Sequence, residues 1–147
     1  MAHAEAFGVA VAVPEGWTDE SVFVWVAPAP ARSGPRSTAQ QPPRPMISAA
    51  RLDVPSMEEA IARLGPFVGD GADVLVDEMR DDDGAAHYER VGRFADPMTG
   101  APVQQAARVY HKGNRAVIVL LTTPAIEFNL HYTGFASIAR SLGRGAL

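Results

Sequence analysis

Large and small residues alternate along Phe7-Gly8-Val9-Ala10-Val11-Ala12-Val13, the period of two expected of a strand with one bulky face. Pro14 and Gly16 break the pattern, and Trp17 is expected to fold back over the sheet end. Residues 22–26 form a second strand that is apolar on both sides: Val22, Val24 and Val26 point one way, Phe23 and Trp25 the other. The aromatic side, with its large area, suits a core. Residues 46–52 are the third strand. Ser56-Met57-Glu58-Glu59 then reads as a capping box, Ser56 at the N-cap and Glu59 at N3. Met57, Ala60, Ile61 and Leu64 make one apolar stripe at helical spacing, stopped by Gly65-Pro66. Four further strands follow at residues 72–79, 86–94, 103–111 and 116–123. They are joined by turns at Asp81-Asp82-Asp83-Gly84, Asp96-Pro97-Met98-Thr99-Gly100 and Lys112-Gly113-Asn114. A last helix over residues 132–142 has Phe135, Ile138 and Leu142 on its apolar side. The order βββ-α-ββββ-α predicts an α+β fold, a largely antiparallel sheet of about six or seven strands with two helices.

The 147 residues suit a single domain, interrupted by a Pro-rich insertion at about 28–45. Proline at that density cannot donate to a ladder, so residues 27–45 read as a long hairpin connection. Pro42-Pro43-Arg44-Pro45 also fits a PxxP ligand, although joining two strands is the simpler role. A formal net charge of -4 argues against nucleic acid as a partner. The first basic side chain is Arg32, so no charged segment of a secretory signal precedes the early strands. The longest apolar run, residues 116–121, is far shorter than the ~18 residues of a membrane span. With no cysteine there is no disulfide, thiolate metal site or cysteine nucleophile. These features predict a cytoplasmic protein without stable membrane insertion.

Candidate chemistry is sparse. An EF-hand loop ending in Asp83-Gly84 would need a carboxylate at Met79 and a bidentate Glu at Arg90, and both positions fail. His3, His87, His111 and His131 lack zinc-ligand spacing, although His87 and His111 could approach across neighbouring strands. There is no nucleophile elbow, and the glycine-rich stretch 65–71 lacks the Gly-Lys-Ser/Thr ending of a phosphate loop. No cofactor and no catalytic residue is expected, and the chain reads as a binding protein rather than an enzyme.

The informative feature is apolar excess. Residues 22–26 and 116–121 are apolar on both faces, whereas an antiparallel sheet normally leaves one face polar. Either two helices cover both faces, or part of one face serves a partner. The face of Val22, Val24 and Val26 is smooth and shallow, and Ser48 and Ala50 are small and share a side of their strand. Gln104 and Gln105 place an amide on each side of theirs. Small residues with a few amides and hydroxyls are how apolar helices are gripped closely.

Val11-Ala12-Val13-Pro14-Glu15-Gly16-Trp17-Thr18-Asp19-Glu20-Ser21 resembles the N-terminal signature of the DcrB family, in the PsbP-like fold group. The likeness continues through a third strand ending at Arg51, a capped helix, and meandering strands ending at Thr122-Thr123-Pro124 before a C-terminal helix. The insertion is longer than the family pattern. The group includes periplasmic lipoproteins, photosystem-associated subunits and the cytoplasmic, dimeric Eag chaperones of type VI secretion. The missing anchor cysteine favours the last. The resemblance implies a homodimer holding the apolar N-terminal transmembrane helices of a secreted effector in a hydrophobic groove. It places Val22, Val24, Ser48, Ala50 and one of Gln104 or Gln105 along that groove. The alternative it leaves is a PsbP-like scaffold subunit or small-ligand module unconnected with secretion.

Overall fold

The computed structural model describes residues 2–6, 9–15, 22–27, 44–67, 71–81 and 85–147. Trp17, the tip of the Asp81–Gly84 turn and nearly all of the Pro-rich insertion lie outside them. The early alternating segment forms a hairpin of two strands, β1 (Ala2–Ala6) and β2 (Val9–Val13), where the alternation suggested one. The main sheet contains β3 (Val22–Val26), β4 (Met46–Asp53), β5 (Asp73–Arg80), β6 (His87–Ala95), β7 (Pro102–Lys112) and β8 (Arg115–Pro124). Its six strands are antiparallel throughout, in the order β3-β4-β8-β7-β6-β5. Two helices complete the α+β fold, α1 (Met57–Ala62) and α2 (Phe128–Gly145), the second entered through a 3₁₀ turn at Ala125–Glu127.

The meander from β6 to β8 follows from its turns. Gly100 and Gly113 take φ of 73° and 63°, the left-handed conformation that hairpin turns need and other residues resist. Asp96 anchors the first turn, its carboxylate accepting from the Thr99 N–H at 3.1 Å and hydroxyl at 2.7 Å. Ser56 caps α1 as its spacing predicts: its hydroxyl accepts from the Glu59 N–H at 3.1 Å.

Each face of the sheet has its own helix. α2 lies over β7 and β8, where Phe128, Phe135 and Ala139 pack on Ala106, Tyr110, Val117, Val119 and Leu121. α1 lies over the opposite face, where Ala60 is buried with Val54, Tyr88, Val109, Ala116 and Ile118. The predicted stripe Met57, Ala60, Ile61 and Leu64 is the contact side of α1. α2 begins earlier and ends later than its periodic core, because Phe128 at its first turn and Leu147 beyond its last both reach the same cluster.

A helix is ~10 Å across and strands are ~4.8 Å apart, so one helix covers about two strands. Among the described residues, neither helix therefore reaches β3. Phe23 and Trp25, expected in a core, are 59% and 46% exposed, because they stand two strands beyond β8 and outside the reach of α2. The two rings stack on each other, with centroids 6.2 Å apart.

Candidate functional site

The pairing register decides which predicted groove residues meet. Val22 is opposite Ala50, Val24 opposite Ser48 and Val26 opposite Met46. On the other side of β4, Ser48 faces Leu120, Ala50 faces Ile118 and Met46 faces Thr122. β8 in turn sets Thr122 against Gln105 and Leu120 against Ala107. Side chains directly opposite one another share a face. Val22, Val24, Ser48, Ala50 and Gln105 therefore lie on one surface, joined by Val26, Met46, Leu120 and Thr122.

Gln104 does not belong to it. It lies on the α2 face, nearly buried, where its amide oxygen accepts from Arg93 Nη2 at 2.8 Å and Nε at 3.2 Å. Gln105 is half-buried on the valine face and donates to the Thr122 hydroxyl at 3.0 Å. Adjacent strand residues point to opposite faces, so a groove can hold one of the two amides and not both.

Coverage of this face is uneven. On the β5–β7 side, α1 and the segment after it provide a lid. The tip of the Phe67 ring sits against Gly92, where any Cβ would collide with it, and the ring lies against Phe94 at 5.7 Å between centroids. Arg90 stacks on Phe67 at 4.3 Å and donates to the Gly65 carbonyl at 2.7 Å, clamping the end of α1. On the β3–β4 side, Val22, Val24 and Val26 are 60%, 53% and 47% exposed, and Met46 is exposed beside them. Ser48, Ala50, Leu120, Thr122 and Gln105 are half-buried. The result is a shallow apolar floor with a ridge formed by α1 and three polar groups, Ser48, Thr122 and Gln105, set into it.

The opposite face holds a polar cluster the sequence patterning did not isolate. Glu89 is 1% exposed and accepts from Arg108 Nε at 3.0 Å and from the Tyr132 hydroxyl. Arg80 Nη1 reaches its other oxygen at 2.7 Å. Burial, and then the hydrogen bond to Glu89, raise the Tyr132 pKa. His87, fully buried beside this cluster, rests on the Tyr110 ring at 5.1 Å with Nδ1 3.1 Å from the Ala85 carbonyl. The signal was available: Glu89 and Arg108 occupy positions where alternation would put apolar residues, and they are direct cross-strand partners. α2 seals the cluster from above. His87 and His111 do not meet across their strands, since His111 lies on the other face with Nε2 3.0 Å from the Val54 carbonyl. Among the described residues no group of His, Asp or Glu is arranged to hold a metal.

A cavity of about 220 Å³ opens where Trp25, Val26 and Met46 meet Ile47, Leu121 and His131. It is smaller than the ~300–1,000 Å³ of most small-molecule sites. No helix among the described residues is long and apolar enough to cross a membrane.

No family profile matches the chain, and no curated protein does. Two solved structures align with the chain over most of its length. PA94 from Pseudomonas aeruginosa, a protein of unknown function regarded as a candidate regulator, superimposes with a TM-score of 0.68 at 16% identity. That alignment covers 97% of this chain and 95% of PA94. LpqN of Mycobacterium tuberculosis, involved in cell envelope biogenesis, reaches a TM-score of 0.41 at 15% identity, over 84% of this chain and 82% of its own. PA94 shows that the whole chain adopts a fold already observed.

Proposed function

We propose that this chain is a non-catalytic binding protein that shelters an apolar helix on the valine face of its sheet. The observation that carries the reading is the half-covered face: Val22, Val24 and Val26 of β3 and Met46 beside them on β4 are exposed together, next to strands β6 to β8 that the helices cover. Such a surface is larger and more continuous than scattered surface apolar residues, and it marks an interaction site. Its relief suits a helix. The floor is small and smooth at Ser48 and Ala50, α1 forms one wall, and Ser48, Thr122 and Gln105 offer hydrogen bonds to polar groups of an otherwise apolar partner.

The resemblance to the Eag chaperones gives this partner a class. The client is an N-terminal transmembrane helix of a type VI secretion effector, held in the cytoplasm until export. The alternative small-ligand reading is less well served: the cavity beside Trp25 is only about 220 Å³, and one of about 380 Å³ at Asp53, Lys112, Asn114, Arg115 and Leu147 is lined mainly by polar and charged side chains rather than the apolar walls of most ligand sites.

The test is co-expression with a tagged effector fragment carrying its apolar N-terminal helices. Ser48→Asp puts a charge into the floor opposite Val24, and Val24→Asp does so at its rim. Both variants should keep the wild-type circular dichroism spectrum, since substitutions at accessible positions usually change stability by about ±0.5 kcal/mol. Both should lose the client, which would then be found in the insoluble fraction. Folded variants that retain the client would remove this face from consideration.

A further inference from the structure

The hairpin that joins β7 to β8 brings two cations together. Lys112 ends one strand, Arg115 begins the next, and they are direct partners across the ladder. Like charges placed opposite one another repel. In a chain of net charge -4 the pair is not the overflow of a basic composition. Asp53, at the end of β4, is the partner of Arg115 on its other side, yet its carboxylate stays 4.0 Å from the guanidinium, beyond hydrogen-bond reach.

These three side chains line a cleft of about 380 Å³, together with Asn114 at the turn and Leu147 beyond α2. The volume lies within the ~300–1,000 Å³ of small-molecule sites. Its lining, too polar for an apolar ligand, suits a charged one, and Asp53 is the one acid among the described lining residues. Cross-strand partners share a face, so Asp53, Arg115 and Lys112 all stand on the α2 side of the sheet. The cleft is thus separate from the valine floor, and its ligand does not rest on the function proposed above.

The backbone under the cleft is fixed. Gly113 holds the turn with φ of 63°, the Val54 N–H donates to the Asn114 carbonyl at 3.0 Å, and His111 Nε2 lies 3.0 Å from the Val54 carbonyl. The hairpin tip is therefore tied to the segment after β4. Groups already in place lose less entropy when a ligand arrives. The side chains stay accessible, with Arg115 and Asp53 49% and 57% exposed. Arg144, in the last turn of α2, offsets the carbonyl end of that helix, which would otherwise oppose an anion near Leu147.

We propose that this cleft binds a small phosphate monoester bearing hydroxyl groups. The phosphate bridges Lys112 and Arg115 and so removes their repulsion, the lysine acting as a point charge and the arginine through paired N–H donors. Three phosphate oxygens reach both cations while the ester side turns toward Asp53; a planar carboxylate has only two. Asp53 sets the second requirement. A carboxylate accepts hydrogen bonds and repels a bare anion, so it selects a ligand whose phosphate is followed by a hydroxyl donor.

Isothermal titration at a fixed ionic strength of about 0.15 M, with glycerol 3-phosphate, inorganic phosphate, glycerate and sulfate as probes, tests the site. Glycerol phosphate should bind once per chain, at least about fivefold more tightly than the other three, the worth of one hydrogen bond. Lys112→Gln and Arg115→Gln should each weaken it about tenfold, the worth of a charge-assisted bond. Arg63→Gln makes the same change of net charge at an exposed position on the other face and should leave binding unchanged. Asp53→Asn should tighten inorganic phosphate and shrink the preference for glycerol phosphate over it. Absence of binding would overturn the proposal, as would sulfate binding equally well, which would show an adventitious ion only. Equal losses in Arg63→Gln, or a preference that survives Asp53→Asn, would overturn it too. Tighter binding of glycerate would replace the phosphate by a carboxylate, and affinity found only after extending the chain by Gly-Gly beyond Leu147 would mean that a terminal carboxylate holds the cations; either result rejects the proposal.

Discussion

A carboxylate as buried as Glu89 persists only if its charge is answered nearby. Arg108, itself 4% exposed, Arg80 and the Tyr132 hydroxyl supply that answer. A buried pair adds little over a well-packed apolar pair, but removing one member strands the other. Glu89→Ala should therefore cost about 3–5 kcal/mol in urea unfolding, as Arg108 loses its buried carboxylate. A loss below about 1 kcal/mol would mean that water already reaches the cluster. Tyr88, on the opposite face, carries a pH signature. Burial, reinforced by the hydrogen bond to Asp77, pushes its hydroxyl up to about 12 from the usual 10.0. The neutral phenol is the form the fold favours, so its contribution is complete below about pH 10 and is lost as pH rises through about 12. Tyr88→Phe should flatten the loss of stability across that window and remove part of the late phase of the tyrosine absorbance titration. At Gly143 α2 packs closely on the sheet: a Cβ there would come within 2.5 Å of the Tyr110 ring. Tyr110 is 1% exposed and cannot swing away, so Gly143→Ala should destabilise by about 1–3 kcal/mol despite its better helix propensity.

At the scale of elements, what period and punctuation express was readable, and what depends on neighbours was not. Ser56 and Glu59 start α1 by a rule confined to four residues, and the Ser56 hydroxyl bond forms as that rule requires. Ser56→Ala should lower stability by about 1 kcal/mol in thermal melting, the usual worth of a cap. The strands from β5 to β8 were visible because alternation and Asp or Gly turns agree along that stretch. β3 was visible as a strand and misjudged as to its surroundings. Its aromatic side looked like core because area was counted without counting helices, and the single helix on that face is spent on β7 and β8. The choice between Gln104 and Gln105 shows the same limit. Either amide fits an alternating strand. Only the β7–β8 register, which sets Gln105 against Thr122, puts one with the valines and sends the other to Arg93. Of the groove residues named from sequence, Val22, Val24, Ser48 and Ala50 share a face because their own strands alternate. The contributions of Met46, Leu120 and Thr122 needed the sheet order, which no local pattern contains.

Across the whole molecule, cover is centred on the middle of the sheet. The two helices and Phe67 protect strands β6 to β8, and the faces open toward both edges, at β5 on one side and from β4 outward to β3 on the other. At the second of these edges the chain leaves β3 at Ala27 and returns at Pro45, and the hydrogen bond between these two residues already closes the connection at its base. The seventeen intervening residues are therefore attached to a completed ladder, and their length is a cost in closure entropy with no strand depending on it. Replacing residues 28–44 by a four-residue turn shortens the loop by about two halvings, which should raise stability by about 1 kcal/mol. Urea unfolding of the shortened chain measures this directly. A loss of several kcal/mol would show instead that the insertion packs on the exposed faces of β3 and is part of their cover. Client capture by the same variant separates a third case. If stability holds while capture falls, the insertion acts on the partner, since the two residues that bracket it, Ala27 and Pro45, adjoin Val26 and Met46 at the rim of the valine floor.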